Sequence, residues 1–254
     1  MFSKDIVKIN DFVTLHILKI ESLTPDLKKL IDDLILNIYS KGADTDISLV
    51  KVRILKYLKS KKGSTHEIGS TAEFFVHLYL NYSNFQQECL YENLEENSSP
   101  KGFDGYYSKD SEEWIMESKS GGILTKDITH HSKIQEAFKN LSEKISGKDN
   151  KNNPWRNAWR HVIAARSDKS IECQIKEISD KYDKGQYTDI KEYNIIPSST
   201  IFLDGKTVVI DGVENNDFIK IKIKEWADKK EYKRMEIICI TKKTKDIFEE
   251  YLNK

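Results

Sequence analysis

The sequence predicts an α/β fold, and three patterns along the chain indicate this class. Apolar residues recur at helical spacing in the first sixty residues, a hairpin is indicated around residues 104–119, and short apolar strands alternate with helices in the last third. The chain has 254 residues and a hydrophobic content of 38%, which is enough to bury a substantial core. We expect one continuous folded unit.

The N-terminal region, residues 1–62, is predicted to be a mainly helical extension that follows a strand-like start at Phe12–Leu18. Thr24 and Pro25 are typical of an N-cap followed by proline in the first helical turn. A second helix is predicted from Ile47 to Leu58. The apolar positions of the first helix lie three and four residues apart: Leu27, Leu30, Ile31, Leu34 and Ile35. These helices either pack on the rest of the fold or form a docking surface for a partner.

The segment 69–80 predicts another helix, with a broad apolar face that includes Phe74 and Leu78. Glu73 lies among these apolar neighbours. A glutamate in this setting either turns outward, which is the commoner outcome, or turns inward toward a metal or a cation. The metal site that we predict just downstream favours the inward orientation.

A hairpin is predicted where Gly102-Phe103-Asp104-Gly105 is followed by the polar run 108–112 and then by Trp114-Ile115-Met116. Side chains alternate between the faces of a strand, so Glu117 and Lys119 point the same way. The hairpin would place Asp104 beside Glu117.

Carboxylates on neighbouring strands suit Mg²⁺, with Mn²⁺ as a substitute, because these ions prefer oxygen ligands and keep water and substrate phosphate in their shell. A lysine two residues further on can hold the attacking water or stabilise a phosphate as negative charge develops. We therefore predict a phosphodiesterase site in which Glu73, Asp104 and Glu117 bind the metal and Lys119 assists catalysis.

The bland alternative is that Glu117 and Lys119 form only an ion pair on a strand face. Exposed pairs contribute about 0–1 kcal/mol, which gives no reason for the hairpin and glycines around them. The chain offers a comparison, since Glu231-Tyr232-Lys233 has the same spacing within a run of charges and without a glycine-flanked aspartate before it. We expect that second copy to be a solvated surface.

In their order and spacing these residues resemble the PD-(D/E)XK nuclease superfamily, over roughly residues 65–145. Phe103 stands at the position of the motif's proline, which many members lack. The positions that match the superfamily's helical Gly-x-x-x-Glu, its aspartate and its Glu-x-Lys are Gly69 with Glu73, Asp104, and Glu117 with Lys119. The resemblance implies a restriction-endonuclease-like core over residues 63–254, a mixed sheet flanked by helices, and cleavage of DNA.

In this superfamily the helix after the Glu-x-Lys strand often carries a polar residue that faces the site. The sequence predicts that helix from about Asp127 to Lys144. The resemblance points to Lys133 or Gln135 for the polar residue.

A narrower resemblance rests on Lys101–Gly105 followed by Met116–Gly121, which are similar to the nuclease subunit of the Hachiman anti-phage system. That resemblance implies an effector that degrades DNA beside a separate helicase subunit. Two alternatives stay open. One is a restriction endonuclease, and the other is a catalytically silent module of the same fold that binds DNA or a partner.

The charge balance is neutral, with 41 basic and 41 acidic residues. A protein that grips DNA alone usually has a basic surplus, because phosphate contacts supply most of the non-specific affinity. Either the positive charge is gathered on one face, or a partner delivers the DNA.

We expect a cytoplasmic protein without a membrane segment. No apolar run approaches the roughly 20 residues that cross a bilayer, and Met1–Asp5 lacks the apolar stretch of a signal peptide. The cysteines Cys89, Cys173 and Cys239 are scattered, which favours small buried residues in a reducing compartment.

Other chemistries are not indicated. His130-His131 has no cysteine or acidic cluster at zinc-ligand spacing, and the sequence contains neither a serine nucleophile elbow nor a Walker-type phosphate loop. We do not expect the chain to hydrolyse ATP itself.

Trp155 and Trp159 lie four apart on a predicted helix, where they would either pack on the core, which is favoured, or stack on bases. The remaining predictions concern the last third, in which a helix should end the chain. The predicted strands are Thr200–Leu203, Thr207–Ile210, Ile237–Ile240 and a half-exposed strand at Phe218–Ile223 with a stripe of lysines, and the terminal helix is Lys245–Leu252.

Overall fold

The computed structural model describes residues 2–62, 65–91, 102–149, 152–206, 210–244 and 246–253. The strands are β1 (Ser3–Asn10), β2 (Val13–Ile20), β3 (Gln86–Gln87), β4 (Gly105–Lys109), β5 (Glu112–Gly122), β6 (Asn194–Phe202) and β7 (Arg234–Lys242). The helices are α1 (Pro25–Ser40), α2 (Ile47–Ser60), α3 (Thr65–Tyr82), α4 (His130–Ile145), α5 (Pro154–Ala164), α6 (Lys169–Asp183), α7 (Asp211–Glu214), α8 (Asn216–Ala227) and α9 (Asp246–Leu252).

Within these described ranges the strands form one mixed sheet of seven, in the order β1-β2-β7-β6-β5-β4-β3. The four central strands, β2, β7, β6 and β5, run parallel, and the outer pairs are antiparallel. Every residue of β6 is buried, as expected for a parallel strand covered on both faces. The α/β class predicted from the sequence, with a mixed sheet flanked by helices, is confirmed.

Two apolar layers cover the sheet. On one face α1, α2, α3 and α9 pack around Phe74, Phe75 and Ile240. On the other face α4, α5, α6 and α8 pack around Ile115, Ile237 and Trp226. The alternation in β5 divides its side chains between these layers, because Met116 faces the α3 side and Ile115 faces the α4 side.

The N-terminal region contributes strands as well as helices. The predicted strand at 12–18 is confirmed as β2, which pairs in parallel with β7, and the two predicted helices are confirmed as α1 and α2. Strand β1 was not predicted, because its outer position leaves residues such as Lys4 and Ile6 exposed and gives the sequence little apolar alternation. Residues 1–62 and the rest of the chain therefore share one sheet.

The strand predicted at 218–223 is wrong, because this segment lies within α8. Asn215 caps the helix by accepting from the Phe218 amide, and Ile219 and Ile223 form its buried face four residues apart. Ile221, between them, is 55% exposed. Side chains two apart on a helix point in different directions, so the alternating lysines do not line one face.

The other C-terminal predictions fare better. Strand β7 and helix α9 are confirmed, and the strand at Thr200 is confirmed but begins six residues earlier, at Asn194. Of the strand predicted at 207–210, residues 207–209 lie outside the described residues, and Ile210 precedes α7 without belonging to a strand. Helix α6 was not predicted.

Trp155 is fully buried and Trp159 packs against the same apolar layer, so the core interpretation of both is confirmed. Cys89 and Cys239 are buried as predicted, but Cys173 is exposed on α6. Among the helices of the described segments, none combines the length and the apolarity that a bilayer crossing requires.

His130, the first residue of α4, attaches that helix to the parallel strands β6 and β7 through its ring nitrogens. Its ring is fully buried, with Nδ1 2.9 Å from Ser199 Oγ and Nε2 3.0 Å from Thr241 Oγ1. Thr129 caps the helix just before it. Burial, with a smaller contribution from the charge of Lys19, lowers the pKa of His130 to about 3, so the imidazole is neutral in the folded protein.

We expect the stability of the protein to depend on pH through this histidine. The unfolded chain takes up a proton near pH 6.5 whereas the folded protein does not, so stability falls as the pH drops from 6.5 toward 3, by up to about 1.4 kcal/mol per pH unit. Urea denaturation of the parent and of His130→Gln at pH 7, 6 and 5 would measure this slope. The variant should be less stable at pH 7, and the difference should narrow as the pH falls. A constant difference would contradict a buried neutral imidazole.

Candidate active site

The predicted hairpin is present and brings Asp104 beside Glu117. Gly105 of β4 pairs with Met116 of β5. The Asp104 amide donates to the Met116 carbonyl over 3.1 Å, which extends the pairing by one residue and sets Asp104 opposite Glu117. The Asp104 carboxylate, through Oδ2, accepts from the Ser118 amide at 2.8 Å. Backbone geometry therefore fixes both acids at one end of the hairpin.

The segment before Asp104 packs closely against the start of α5. Gly102 has φ +84°, and a Cβ built on it would lie 2.5 Å from the Pro154 carbonyl oxygen, so only glycine fits this approach. Next to it, the buried Phe103 ring packs edge-on against Trp155, with 4.9 Å between the ring centroids. Phe103 thus anchors Asp104 by packing.

The pKa of Asp104 is strongly perturbed. Burial, then the negative charges of Glu117 and Glu73, raise the pKa of Asp104 to about 7. The charge of Lys144 and the hydrogen bond from Ser118 act in the opposite direction. The three predicted acids are therefore near enough to repel one another, and the local positive charge does not offset their repulsion.

Glu117 is held between two lysines. Its side chain is 2% exposed, with Oε1 2.9 Å from Lys119 Nζ and Oε2 2.7 Å from Lys144 Nζ. Asn140 Nδ2 also lies 3.5 Å from Oε1. A buried carboxylate with both oxygens paired in this way differs from the exposed ion pair that the bland interpretation predicts.

Lys119 points to the same side of β5 as Glu117, as the alternation predicts, and its side chain is largely covered. Burial disfavours its charge, but the attraction of Glu117 and Asp104 outweighs burial and raises the pKa of Lys119 above its ordinary value. The amine therefore stays protonated beside the acids and can donate a hydrogen bond to an oxygen.

Glu73 is turned inward from α3, as predicted. Its side chain is 18% exposed, and Oε1 lies 3.5 Å from Nε2 of the buried His77. His77 Nδ1 is in turn hydrogen-bonded to the Tyr107 hydroxyl on β4. This chain of contacts ties the helix that carries Glu73 to the hairpin that carries Asp104.

Helix α4 supplies two residues that the sequence did not point to, Asn140 and Lys144. They lie four apart on the helix and both reach Glu117. Lys133 lies on the same side of α4 as Lys144, but it is about 16 Å closer to the start of the helix. Its ammonium pairs with Glu136. Of the two residues that the resemblance suggested for this role, neither contacts the acids.

Gln135 lies on the other side of α4. It lines an open cleft of about 370 Å³ with Phe138 and Trp226, away from Glu117. The signal that could have identified Lys144 is its position immediately before the buried Ile145, as Asn140 immediately precedes the buried Leu141. That pattern marks the edge of the packed face, but the sequence does not show which turn of the helix meets the hairpin.

The carboxylates of this site are suitable ligands for a divalent cation. Mg²⁺ takes carboxylate oxygens at about 2.0–2.1 Å, and this site offers three carboxylates whose mutual repulsion a cation would relieve. Among the residues that the structure describes, no group of three or more His, Cys, Asp or Glu stands at metal-binding distances. Both oxygens of Glu117 are held by ammonium groups instead. The donor set fits the ion chemically once Glu117 Oε2 is released from Lys144.

The segment with the same spacing, Glu231-Tyr232-Lys233, lies on the surface, as expected. Glu231 and Lys233 are exposed in the segment just before β7. Spacing alone therefore does not make a site, and the packing around β5 distinguishes Glu117 from Glu231.

No protein-family model matches this chain, and no curated protein matches it in sequence.

We expect Asp104→Asn to raise the free energy of unfolding of the metal-free protein by roughly 1–3 kcal/mol at pH 8. The charged carboxylate is disfavoured by burial and by its acidic neighbours, whereas an amide is neutral and its oxygen still accepts from the Ser118 amide. The gain should shrink as the pH falls from 7 toward 4, because the parent then binds the proton that relieves the repulsion. Urea denaturation in EDTA measures the difference.

Asp110→Asn is the matched control, since Asp110 is exposed in the turn between β4 and β5. Its effect should stay within about 0.5 kcal/mol. If Asp104→Asn instead destabilises the protein, the carboxylate is a structural partner and not part of a strained acidic cluster.

Proposed function

We propose that this protein is a metal-dependent DNA nuclease that hydrolyses phosphodiester bonds. The observation that carries the proposal is the convergence of Asp104, which lies just before β4, with Glu117 of β5 and Glu73 of α3, close enough for Asp104 to have a raised pKa. Clustered acids that repel one another cost stability, and perturbed groups of this kind are concentrated at functional sites. A lysine that remains protonated within hydrogen-bond reach completes the site.

In the proposed reaction, water adds across the ester bond. Its oxygen forms a bond to phosphorus, the bond from phosphorus to the leaving oxygen breaks, and the products are a phosphomonoester and a free hydroxyl end. A bound Mg²⁺ or Mn²⁺ would polarise the phosphate and the water. The carboxylates of Glu73, Asp104 and Glu117 would hold that ion.

The chain's own contributions are positioning and charge. The backbone pairing of the hairpin fixes the distance between Asp104 and Glu117. Lys119 would donate to the attacking water or to a phosphate oxygen, and a fixed ammonium in a poorly solvated site stabilises developing negative charge far better than water does. The low exposure of Glu117 limits the access of bulk water to the reacting groups.

We further propose that the chain is the effector subunit of an anti-phage complex and works in the cytoplasm beside a helicase. The resemblance to the Hachiman nuclease subunit supports this, as does the neutral charge, because a partner that delivers DNA relieves the nuclease of gripping it alone. Leu49 and Val52 on α2 are exposed apolar residues, at 44% and 58% exposure, within the N-terminal region that the sequence offered as a docking surface.

A restriction endonuclease is the second candidate, because the same acids and lysine serve both activities. The two differ in their products. A restriction enzyme yields discrete fragments from a defined DNA, whereas a defence effector degrades DNA generally.

We expect Glu117→Gln and Lys119→Met each to lower the rate of DNA cleavage by at least about a hundredfold, since one removes a metal ligand and the other a transition-state donor. Cleavage of labelled single-stranded and duplex DNA would be followed with Mg²⁺ and with EDTA, for the chain alone and together with a helicase of the Hachiman type. EDTA should abolish cleavage by the parent.

The exposed pair supplies the matched control, because Glu231→Gln and Lys233→Met make the same chemical changes at the same spacing. These variants should cleave like the parent. If Glu117→Gln and Lys119→Met also cleave like the parent, or if EDTA has no effect, the proposed activity is wrong.

A further inference from the structure

Lys144 occupies the position of a cation in the acidic cluster. Its ammonium lies 2.7 Å from Glu117 Oε2, and the other oxygen of the same carboxylate belongs to Lys119. The charge of Lys144 also lowers the pKa of Asp104, so it acts on two of the acids at once. The ammonium therefore occupies a carboxylate oxygen that a metal bound by Glu117 would need.

We propose that Lys144 is a built-in competitor for the metal, which holds the site in a metal-free state until its side chain is drawn away. This inference rests on the proposed function, because it assumes that Glu117 binds a metal. It goes beyond that function by assigning a regulatory role to a residue of α4.

The position of Lys144 suits an exchangeable occupant. A lysine ammonium is a compact charge on a flexible four-carbon stem, and the side chain is 18% exposed, so it can reach solvent without movement of the helix. Lys144 is in the last turn of α4, where a cation is favoured by the helix dipole whether or not it contacts Glu117. Lys119, by contrast, leaves β5, a strand paired on both sides.

The expected exchange is one cation for another. When Lys144 leaves Glu117 Oε2, that oxygen becomes an uncompensated buried charge, which is costly unless a second cation takes its place. A phosphate group of a bound DNA strand is an acceptor to which the released ammonium can turn. Metal binding and substrate binding would therefore support each other at this carboxylate.

The test compares metal binding by the parent and by Lys144→Met, which removes the charge and keeps an unbranched side chain one atom shorter. Binding of Mn²⁺ alone to the full chain, followed by the loss of the free-ion signal in electron paramagnetic resonance, gives a dissociation constant without any catalysis. We expect Lys144→Met to bind Mn²⁺ at least about tenfold more tightly than the parent, because no ammonium competes for Oε2. Its melting temperature should be lower without metal and should rise more on addition of Mn²⁺.

Lys139→Met is the matched control, since Lys139 lies on the same helix, is 73% exposed and pairs with Glu143 rather than with the acids. Its affinity for Mn²⁺ should equal that of the parent. Lys144→Arg keeps the charge and provides a test if Lys144→Met does not fold. Because a guanidinium pairs with a carboxylate through two hydrogen bonds, this variant should bind Mn²⁺ no more tightly than the parent.

The outcomes separate the two proposals. If the parent binds Mn²⁺ and Lys144→Met binds it equally or more weakly, or if Lys144→Arg binds it more tightly than the parent, the competitor role is wrong and the proposed function stands. If neither the parent nor Lys144→Met binds Mn²⁺, the metal site itself is wrong and both proposals fail.

Discussion

The ion pairs of Glu117 are the constraint on which the rest of the site depends. A carboxylate that is 2% exposed cannot remain charged without partners, and Lys119 from its own strand and Lys144 from α4 supply them. These contacts fix α4 over β5. Burial of Asp104, together with the negative charges of Glu117 and Glu73, raises the pKa of that acid to about 7. The site thus combines a satisfied acid with an unsatisfied one.

Separate contacts hold β5, α4 and α3, the three elements that surround the acids. Parallel pairing with β6 holds β5, and the Ser198 hydroxyl donates to the Glu117 carbonyl at 3.1 Å. The buried imidazole of His130 fastens the start of α4 to β6 and β7. On the opposite face, α3 reaches the hairpin through His77 and Tyr107. Glu117 and Glu73 therefore lie on separately anchored elements, and Asp104 is held beside them by its backbone and side-chain hydrogen bonds to β5.

The sequence predicted the parts of the site that lie close together along the chain. The turn between β4 and β5 and the alternation after Trp114 were sufficient to place Asp104 beside Glu117. The apolar face of α3 left the orientation of Glu73 open, and the acids predicted downstream favoured the inward one that the structure has. Lys144 was missed because its contact with Glu117 spans 27 residues and depends on how α4 crosses the sheet, which local patterns do not specify. Helix α8 was mistaken for a strand because alternation with lysine conceals the four-residue spacing of Ile219 and Ile223.

The position of the hairpin depends on the packing of Phe103 against Trp155 of α5 as well as on the hairpin's own hydrogen bonds. Gly102 can approach Pro154 only because it lacks a side chain. The loop that ends in Asp104 therefore packs closely against the first residues of α5. A protein engineer who grafted the hairpin alone onto another scaffold would transfer Asp104 and Glu117 without the surface against which the loop before Asp104 packs. The smallest portable unit of this site therefore includes a helix that contributes no acid to it.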